Sequence, residues 1–475
     1  MQRLTPDICV IGGGAAGLSA AAAAAAFHVS TVLIERGRLG GECLNSGCVP
    51  SKALLAAAKR AADIREGDGF GVHAAELRVD FSKVMAHVRA TVARIAPTDS
   101  PERFGGLGVR VIAGEARFRD RRSVIVGEEF EIRARRFVIA TGSRPTVPPI
   151  DGLEDGTYFT NETIFDLGEL PTHLVVIGAG AAGLELAQAF RRLGSGVTVL
   201  DAGRALAQDD PECAEIVLAQ LEREGVAIRT GVTISRVTRA VGHVGVTITQ
   251  GGEEDMVGGS HLLIAAGRRP VLDALDLKAA GIRRVDDGIL VNRKLRTSNS
   301  RVYAIGDVAA GLPRLTHAAS YQAGLVIRNA LFRLPVRMDT GSIPHVIYTD
   351  PELAQTGLTE AQARQRGFKI RVLRWPYHDN DRAQAERKMH GHIKVIADRK
   401  GRILGASIVG AQAGELISAW TLALTQGLTL RAFAELVVPY PTLSEIGKRA
   451  AFDFYLPRLT QPLLRRIIGF VRRFG

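Results

Sequence analysis

The sequence predicts an α/β chain with two Rossmann-like, three-layer domains and a C-terminal α+β domain, and three observations carry that reading. Gly12-Gly13-Gly14-Ala15-Ala16-Gly17 follows an apolar run and precedes a stretch of helix formers, and Gly178-Ala179-Gly180-Ala181-Ala182-Gly183 repeats the arrangement. After each turn a second apolar strand ends on an acid, Glu35 lying 18 residues after Gly17 and Asp201 lying 18 after Gly183. Beyond Ile343 the pattern changes to alternating segments such as 392–396 and 404–409, with a helix over 414–425, which fits a separate, mostly antiparallel domain.

Taken in order, residues 7–11 are short, apolar and partly β-branched, and read as a buried parallel strand. Gly12, Gly14 and Gly17 supply the turn and the close backbone approach to a pyrophosphate. The Ala-rich helix to residue 27, entered through Ala16, offers its N-terminus to the phosphate charge. Glu35, with Arg36 beside it, closes the strand 30–34 and accepts from ribose hydroxyls. Next comes Gly40-Gly41-Glu42-Cys43-Leu44-Asn45-Ser46-Gly47-Cys48-Val49-Pro50-Ser51-Lys52. Pro50 suits the first turn of a helix over 51–60, which puts Cys48 at a helix N-terminus, where the dipole and free N–H groups favour a thiolate. Two inert buried cysteines would be the plain reading of C-x4-C; the flanking nucleotide turns favour a redox pair.

A helix over 81–95 and short strands near 109–118 and 123–126 follow, then the run 137–140 ending in Thr141-Gly142-Ser143. The second fingerprint uses Gly178, Gly180 and Gly183, the strand 196–200 and Asp201, so two dinucleotide sites are expected. Ile264-Ala265-Ala266-Gly267 echoes the earlier Ala-Thr-Gly turn. The strand 302–305 ends in Gly306-Asp307 ahead of a helix over 318–331, and Pro439-Tyr440-Pro441-Thr442-Leu443-Ser444-Glu445 opens the last helical stretch.

At 475 residues the chain exceeds one core and can bury a large cofactor. Four cysteines make no disulfide framework, which points to a reducing compartment, the cytoplasm, in which a disulfide is catalytic. A net charge of +12 comes without a nucleic-acid-binding motif, so no nucleic-acid partner is expected, and no resident metal is expected either. The apolar N-terminal run is cut by four glycines and reads as strand, turn and helix rather than as a signal peptide. Residues 458–475 form a basic amphipathic tail. Leu464, Ile467, Ile468, Val471 and Phe474 recur at helical spacing beside Arg465, Arg466, Arg472 and Arg473, a pattern that predicts peripheral contact with the inner face of the membrane.

Together, Gly12-x-Gly-x-x-Gly, Cys43-x4-Cys48-Val-Pro-Ser-Lys, Gly178-x-Gly-x-x-Gly, Ile305-Gly-Asp307 and Pro441-Thr-Leu-Ser-Glu445 resemble the pyridine nucleotide–disulfide oxidoreductases. These include dihydrolipoamide dehydrogenase, glutathione reductase and mercuric reductase, and the resemblance runs over nearly the whole chain. It implies FAD-binding at 1–150 and 273–343, NAD(P) at 151–272, a dimerisation domain at 344–457 and a homodimer. It also implies that Cys48 is the thiolate facing the flavin and Cys43 the thiol that attacks substrate. Lys52 and Glu185 look like the family's pair beside the reactive flavin nitrogen, and Asp307 like its ligand to the flavin chain. Gly41, Thr141, Gly142, Gly267 and Gly306 complete the implied cofactor contacts.

NADH is favoured because the Asp201 carboxylate repels a 2′-phosphate, while Arg204 keeps NADPH open. Two departures matter. Tyr440 stands where thiol–disulfide reductases carry the acid–base histidine that Glu445 would hold, and a phenol near about 10 is no proton shuttle at neutral pH. Mercuric reductases share that tyrosine, yet no cysteine follows Cys213, so the C-terminal metal-passing pair of those enzymes is lacking. The expectation is an FAD-dependent oxidoreductase passing electrons from NAD(P)H through Cys43–Cys48 to a small acceptor, a disulfide or a metal ion, closest to the mercuric-reductase-like branch. The alternatives are dihydrolipoamide dehydrogenase or glutathione reductase and, in another class, a membrane-surface electron-transfer partner or a redox sensor.

Overall fold

The computed structural model describes the chain apart from residues 154, 155, 157, 460, 461 and 475 and the side chains of 458, 459 and 463–465. Two units are distinguished, Met1–Ala202 with Arg229–Thr340, and Gly203–Ile228 with Gly341–Gly475.

In the first unit five parallel strands lie in the order Val302–Ala304, Arg136–Ile139, Ile8–Ile11, Thr31–Glu35, Val109–Ala113. Ile8, Cys9 and Val10 have no exposed surface, as befits a strand covered on both faces. Burying each large apolar side chain contributes about 1.5–3 kcal/mol, so the strand that delivers Gly12 is firmly held. The register sets Ile11 beside Ile34 and Ile139, and Ile139 beside Ala304. Four neighbouring strands therefore end at one edge, where they deliver Gly12, Glu35, Thr141 and Asp307, the place at which open parallel sheets bind ligands. Helix Ala15–Ala25, nearly all alanine, lets helix Thr316–Phe332 pack closely against it.

A second parallel sheet contains His261–Ile264, His173–Ile177 and Gly196–Asp201, with Ile177 beside both Leu200 and Ile264. The two fingerprints are built alike. A Cβ on Gly17 would collide with the carbonyl of Gly12, and one on Gly183 with the carbonyl of Gly178. Gly12 and Gly178, at φ +106° and +116°, abut the carbonyls of Ala140 and Ala265. The echo between Ala140-Thr141-Gly142 and Ala265-Ala266-Gly267 is thus a structural repeat that limits the turn glycines. An antiparallel ribbon, Thr233–Ala240, His243–Gln250 and Glu253–Gly259, has no plain signature in the sequence, because its first strand is exposed at most positions and lacks a clean alternation.

The second unit carries five antiparallel strands in the order His345–Ile347, Glu352–Gly357, Ile403–Gly410, His392–Asp398, Ile370–Pro376. Helix Ala413–Thr425 packs on Glu352–Gly357 and Ile403–Gly410 and also touches His345–Ile347, and Trp420 stacks on Phe433 with ring centroids 3.8 Å apart. Helix Pro211–Arg223 belongs here too, its N-cap Asp210 accepting from the Glu212 N–H at 3.1 Å. The buried Lys394 Nζ lies 2.9 Å from Asp210, 2.9 Å from Glu212 and 3.0 Å from Glu360. This network is a physical reason for segment 203–228, read from the sequence as part of 151–272, to group with the C-terminal unit. The tail forms helix Pro462–Val471; Arg466, Ile467, Ile468, Phe470 and Val471 are exposed, as are Arg472, Arg473 and Phe474 beyond it, while the side chains of Leu464 and Arg465 lie outside the described residues. No helix among the described residues is long and apolar enough to cross a membrane.

Candidate active site

The C-x4-C segment folds as a helical turn, Gly41–Asn45, followed by helix Cys48–Glu66, which starts three residues earlier than the sequence suggests. Cys48 takes the first helical position, with Gly47 as N-cap. Its Sγ lies 3.5 Å from Thr316 Oγ1, and the Cys43 thiol is its partner in titration. The hydrogen bond from Cys43, that from Thr316 and the nearby Lys52 ammonium outweigh desolvation, and lower the Cys48 thiol from 9.0 to about 5. Cys43 is pushed the other way, by its hydrogen bond to Cys48 and by burial. The pair therefore holds one proton and one negative charge at neutral pH, the charge on Cys48. Lys52, one turn along the helix, meets Glu185 at 2.7 Å; Glu185 is buried on helix Ala181–Leu193, which packs against the cysteine helix.

These thiols open onto a cavity of about 520 Å³ lined entirely by the first unit. Gly12, Gly14 and Ala16 line it, and Gly41 rests on Gly14. Glu35 accepts from the Gly13 N–H at 2.5 Å and the Gly37 N–H at 2.7 Å, and Arg36 pairs with Glu115 at 2.9 Å. Thr141, Gly142, Gly306 and Asp307 supply another part of the lining; Thr141 donates to the Val271 carbonyl at 2.7 Å, and Asp307 accepts from the Ser143 hydroxyl at 2.6 Å. At the second fingerprint Asp201 accepts from the Ala179 N–H at 2.6 Å, the same contact over the same spacing as Glu35 with Gly13. A Cβ on Gly180 would meet no atom within 4 Å, which leaves that turn open to a ligand.

The family model described as pyridine nucleotide-disulphide oxidoreductase matches residues 6–323, and its dimerisation-domain model matches 343–451. The chain belongs to this family. Family members use FAD and NAD(P)H, and the chain is an FAD-dependent oxidoreductase. It is 36% identical over 451 residues to the mercuric reductase of Bacillus cereus, covering 94% of this chain and 71% of that one. It is also 36% identical over 453 residues to the dihydrolipoyl dehydrogenase of Bacillus subtilis (strain 168), covering 94% and 95%. Among solved structures it is similar to LpdA from Mycobacterium tuberculosis, at TM-score 0.87 and 27% identity over 95% of this chain and 99% of that one. It is likewise similar to the Cu(II) complex of the HOCl-induced flavoprotein disulfide reductase RclA from Escherichia coli, at TM-score 0.84 and 26% identity over 95% and 100%. The cavity fits the family's flavin: a glycine turn without side chains, an acid at the strand end, and Asp307 and the thiols elsewhere in one continuous lining.

Several residues that shape this oxidoreductase site carry no motif. Thr316 opens helix Thr316–Phe332 and reaches Cys48 across 268 residues of sequence. Glu42, the residue just before the C-x4-C motif, accepts from Asn161 Nδ2 at 2.7 Å and pairs with Arg268, which also donates to the Ser143 hydroxyl at 2.8 Å. A carboxylate inside a glycine-lined nucleotide approach is itself the signal that could have singled out Glu42. Tyr440 and Glu445 lie in the other unit. Tyr440 is 70% exposed, and its hydroxyl donates to Asp381 at 2.8 Å. The residue that holds position 440 is thus Asp381 rather than the expected Glu445, whose carboxylate lies 3.8 Å from Arg449. The Asp381 hydrogen bond moves the phenol above its usual range, further from any role as a base at neutral pH.

Proposed function

We propose that the chain takes electrons from NADH and delivers them, by way of FAD and the Cys43–Cys48 pair, to a small acceptor whose reduction needs no histidine, a metal ion ahead of a disulfide. The observation that carries this reading is Cys48: a thiol at a helix N-terminus, paired with Cys43 and lowered to about 5, opening onto a glycine-lined cavity. Gly12, Gly14, Ala16, Gly17, Glu35, Arg36, Gly41, Thr141, Gly142, Gly306 and Asp307 would hold FAD, which supplies two-electron transfer between nicotinamide and disulfide. Lys52, fixed by Glu185, supplies positive charge in the region where negative charge develops. Gly178, Gly180, Gly183 and Gly267 frame the nicotinamide nucleotide, and the Asp201 carboxylate favours a free 2′-hydroxyl.

Tyr440 supports a metal ion over a disulfide. Exchange with a disulfide has to move a proton at the leaving thiol, and an exposed phenol held above its usual range does not accept one near pH 7. The names of the mercuric-reductase relatives agree with that preference. The dimerisation domain supports a homodimer. Anaerobic titration with NADH tests the relay: two-electron reduction should raise a long-wavelength thiolate–flavin absorption that Hg(II) discharges faster than lipoamide. Full flavin reduction without that absorption would contradict the relay.

The tail supports a second, compatible reading, reversible association with anionic membrane. Apolar Ile467, Ile468, Phe470, Val471 and Phe474 are between 49% and 77% exposed, alongside exposed Arg466, Arg472 and Arg473. Each arginine near an anionic surface is worth about 1 kcal/mol. Cosedimentation with anionic vesicles, with and without residues 458–475, decides it; equal binding by both forms removes the tail as the anchor.

A further inference from the structure

Glu42 precedes Cys43, and its side chain folds back along the loop between the two thiols. A Cβ placed on Gly47, the residue before Cys48, would lie 3.3 Å from the Glu42 Cγ and 3.0 Å from the Glu42 carbonyl oxygen, so Glu42 fills the space beside that glycine. Asn161 locks this arrangement, since its Nδ2 donates both to Glu42 at 2.7 Å and to the Ser46 carbonyl at 3.2 Å. Arg268 closes the other side, pairing with Glu42 while donating to the Ser143 carbonyl at 3.0 Å and lying 3.4 Å from Asn161 Oδ1. A partly buried carboxylate is thereby pinned beside both cysteines, at a wall of the cavity they share.

We infer that Glu42 is a positioning residue that holds a proton for the Cys43–Cys48 pair, taking one up when the disulfide is reduced and releasing it when the disulfide re-forms. The inference rests on the proposed redox role of the pair. In the balanced step two electrons from the reductant, a hydride donor in the enzyme and dithiothreitol in the test, break the Sγ–Sγ bond. One proton from solvent goes to Cys43 as a thiol, Cys48 keeps the charge as thiolate, and a second proton goes to the Glu42 carboxylate.

The electrostatics give the direction. Burial raises the Glu42 carboxyl from 4.5 to about 7; Arg268 opposes this, and Asp307, the Cys48 thiolate and Glu162 add to it. The Glu42 charge in turn helps to raise the Cys43 thiol. In the disulfide state the Cys48 charge is gone, so Glu42 binds its proton less tightly and reduction draws one in. Such coupling offsets the charge that two-electron reduction would otherwise leave beside the flavin cavity, a task with no counterpart at Tyr440.

The test is the equilibrium between the Cys43–Cys48 couple of the FAD-loaded enzyme and dithiothreitol, set anaerobically from about pH 5.5 to 8.5 and read by quench, alkylation and mass spectrometry. Dithiothreitol gives up two protons with its two electrons over this range, so a pair that takes one makes the exchange constant rise about tenfold per pH unit, and a pair that takes two leaves it level. The wild type should rise clearly less than tenfold per unit between about pH 6 and 7 and reach tenfold above about pH 8. Glu42→Gln, which keeps the shape of the side chain, should rise about tenfold per unit throughout pH 6–8, and Glu42→Asp should restore the flattening. A wild type that already rises tenfold per unit throughout overturns the inference without recourse to any variant, and so does a Glu42→Gln profile superposable on it. Failure of the wild type to form the disulfide at all would instead overturn the proposed function, and the inference with it.

Discussion

Thr316→Val isolates one of the contacts that make Cys48 a thiolate. The threonine hydroxyl lies 3.5 Å from Cys48 Sγ, while the Cys43 hydrogen bond and the Lys52 charge are left in place by the substitution. A hydrogen bond to a charged group is worth about 1.5–3 kcal/mol. This one is long and Cys48 is exposed, so the lower end applies, about 1.5 kcal/mol or roughly one pK unit. The Cys48 midpoint should therefore move from about 5 to about 6. At pH 6 the thiolate fraction falls from about nine-tenths to about half, whereas an ordinary thiol would be charged to only about one part in a thousand. The assay is the pH dependence of the long-wavelength thiolate–flavin absorption in the two-electron-reduced holoenzyme, wild type against variant. A wild-type midpoint near 9, or a variant titration superposable on the wild type, would refute the account of how the thiolate is stabilised.

Two further substitutions probe the C-terminal unit. Tyr440→His should raise lipoamide reduction above the wild-type rate, because it puts an imidazole where Asp381 can orient it; unchanged turnover with FAD content intact would mean that position 440 is not the acid–base position. Lys394→Met should destabilise this unit by about 3–5 kcal/mol in urea unfolding, since it strips the buried cation from Asp210, Glu212 and Glu360. A loss below about 1 kcal/mol would mean that the three carboxylates find other partners, and Asp210→Asn in the Lys394→Met background should recover part of the loss.

Both glycine fingerprints were legible in the sequence because their parts are local: turn, helix start and strand-end acid fall within two dozen residues, and Glu35 and Asp201 make equivalent contacts to Gly13 and Ala179. Helix Phe81–Ile95 was equally plain, with an amphipathic run capped by Asp80, which accepts from the Lys83 N–H at 3.1 Å. The Lys52–Glu185 ion pair spans 133 residues and was reached only through a family resemblance. What stayed hidden depends on the packed chain. Glu42 meets Asn161 and Arg268 across 119 and 226 residues, and no periodicity or spacing records such a meeting. Segment 203–228 looked like the rest of a nucleotide domain because the buried contacts of Lys394 with Asp210 and Glu212 link residues more than 180 positions apart. At position 440 the residue type was informative and its partner was not, since Asp381 lies on a separate short helix, Asp381–Ala385.

In the proposed relay electrons leave this enzyme through Cys43 and Cys48. Its most direct measurement is steady-state reduction of Hg(II) and of lipoamide with NADH by Cys43→Ser and Cys48→Ser, each matched to wild type by FAD absorbance. Both variants should keep FAD, because the glycine turn, Glu35 and Asp307 are untouched, and both should lose acceptor reduction to the level of the uncatalysed control. Wild-type turnover in either variant would contradict the claim.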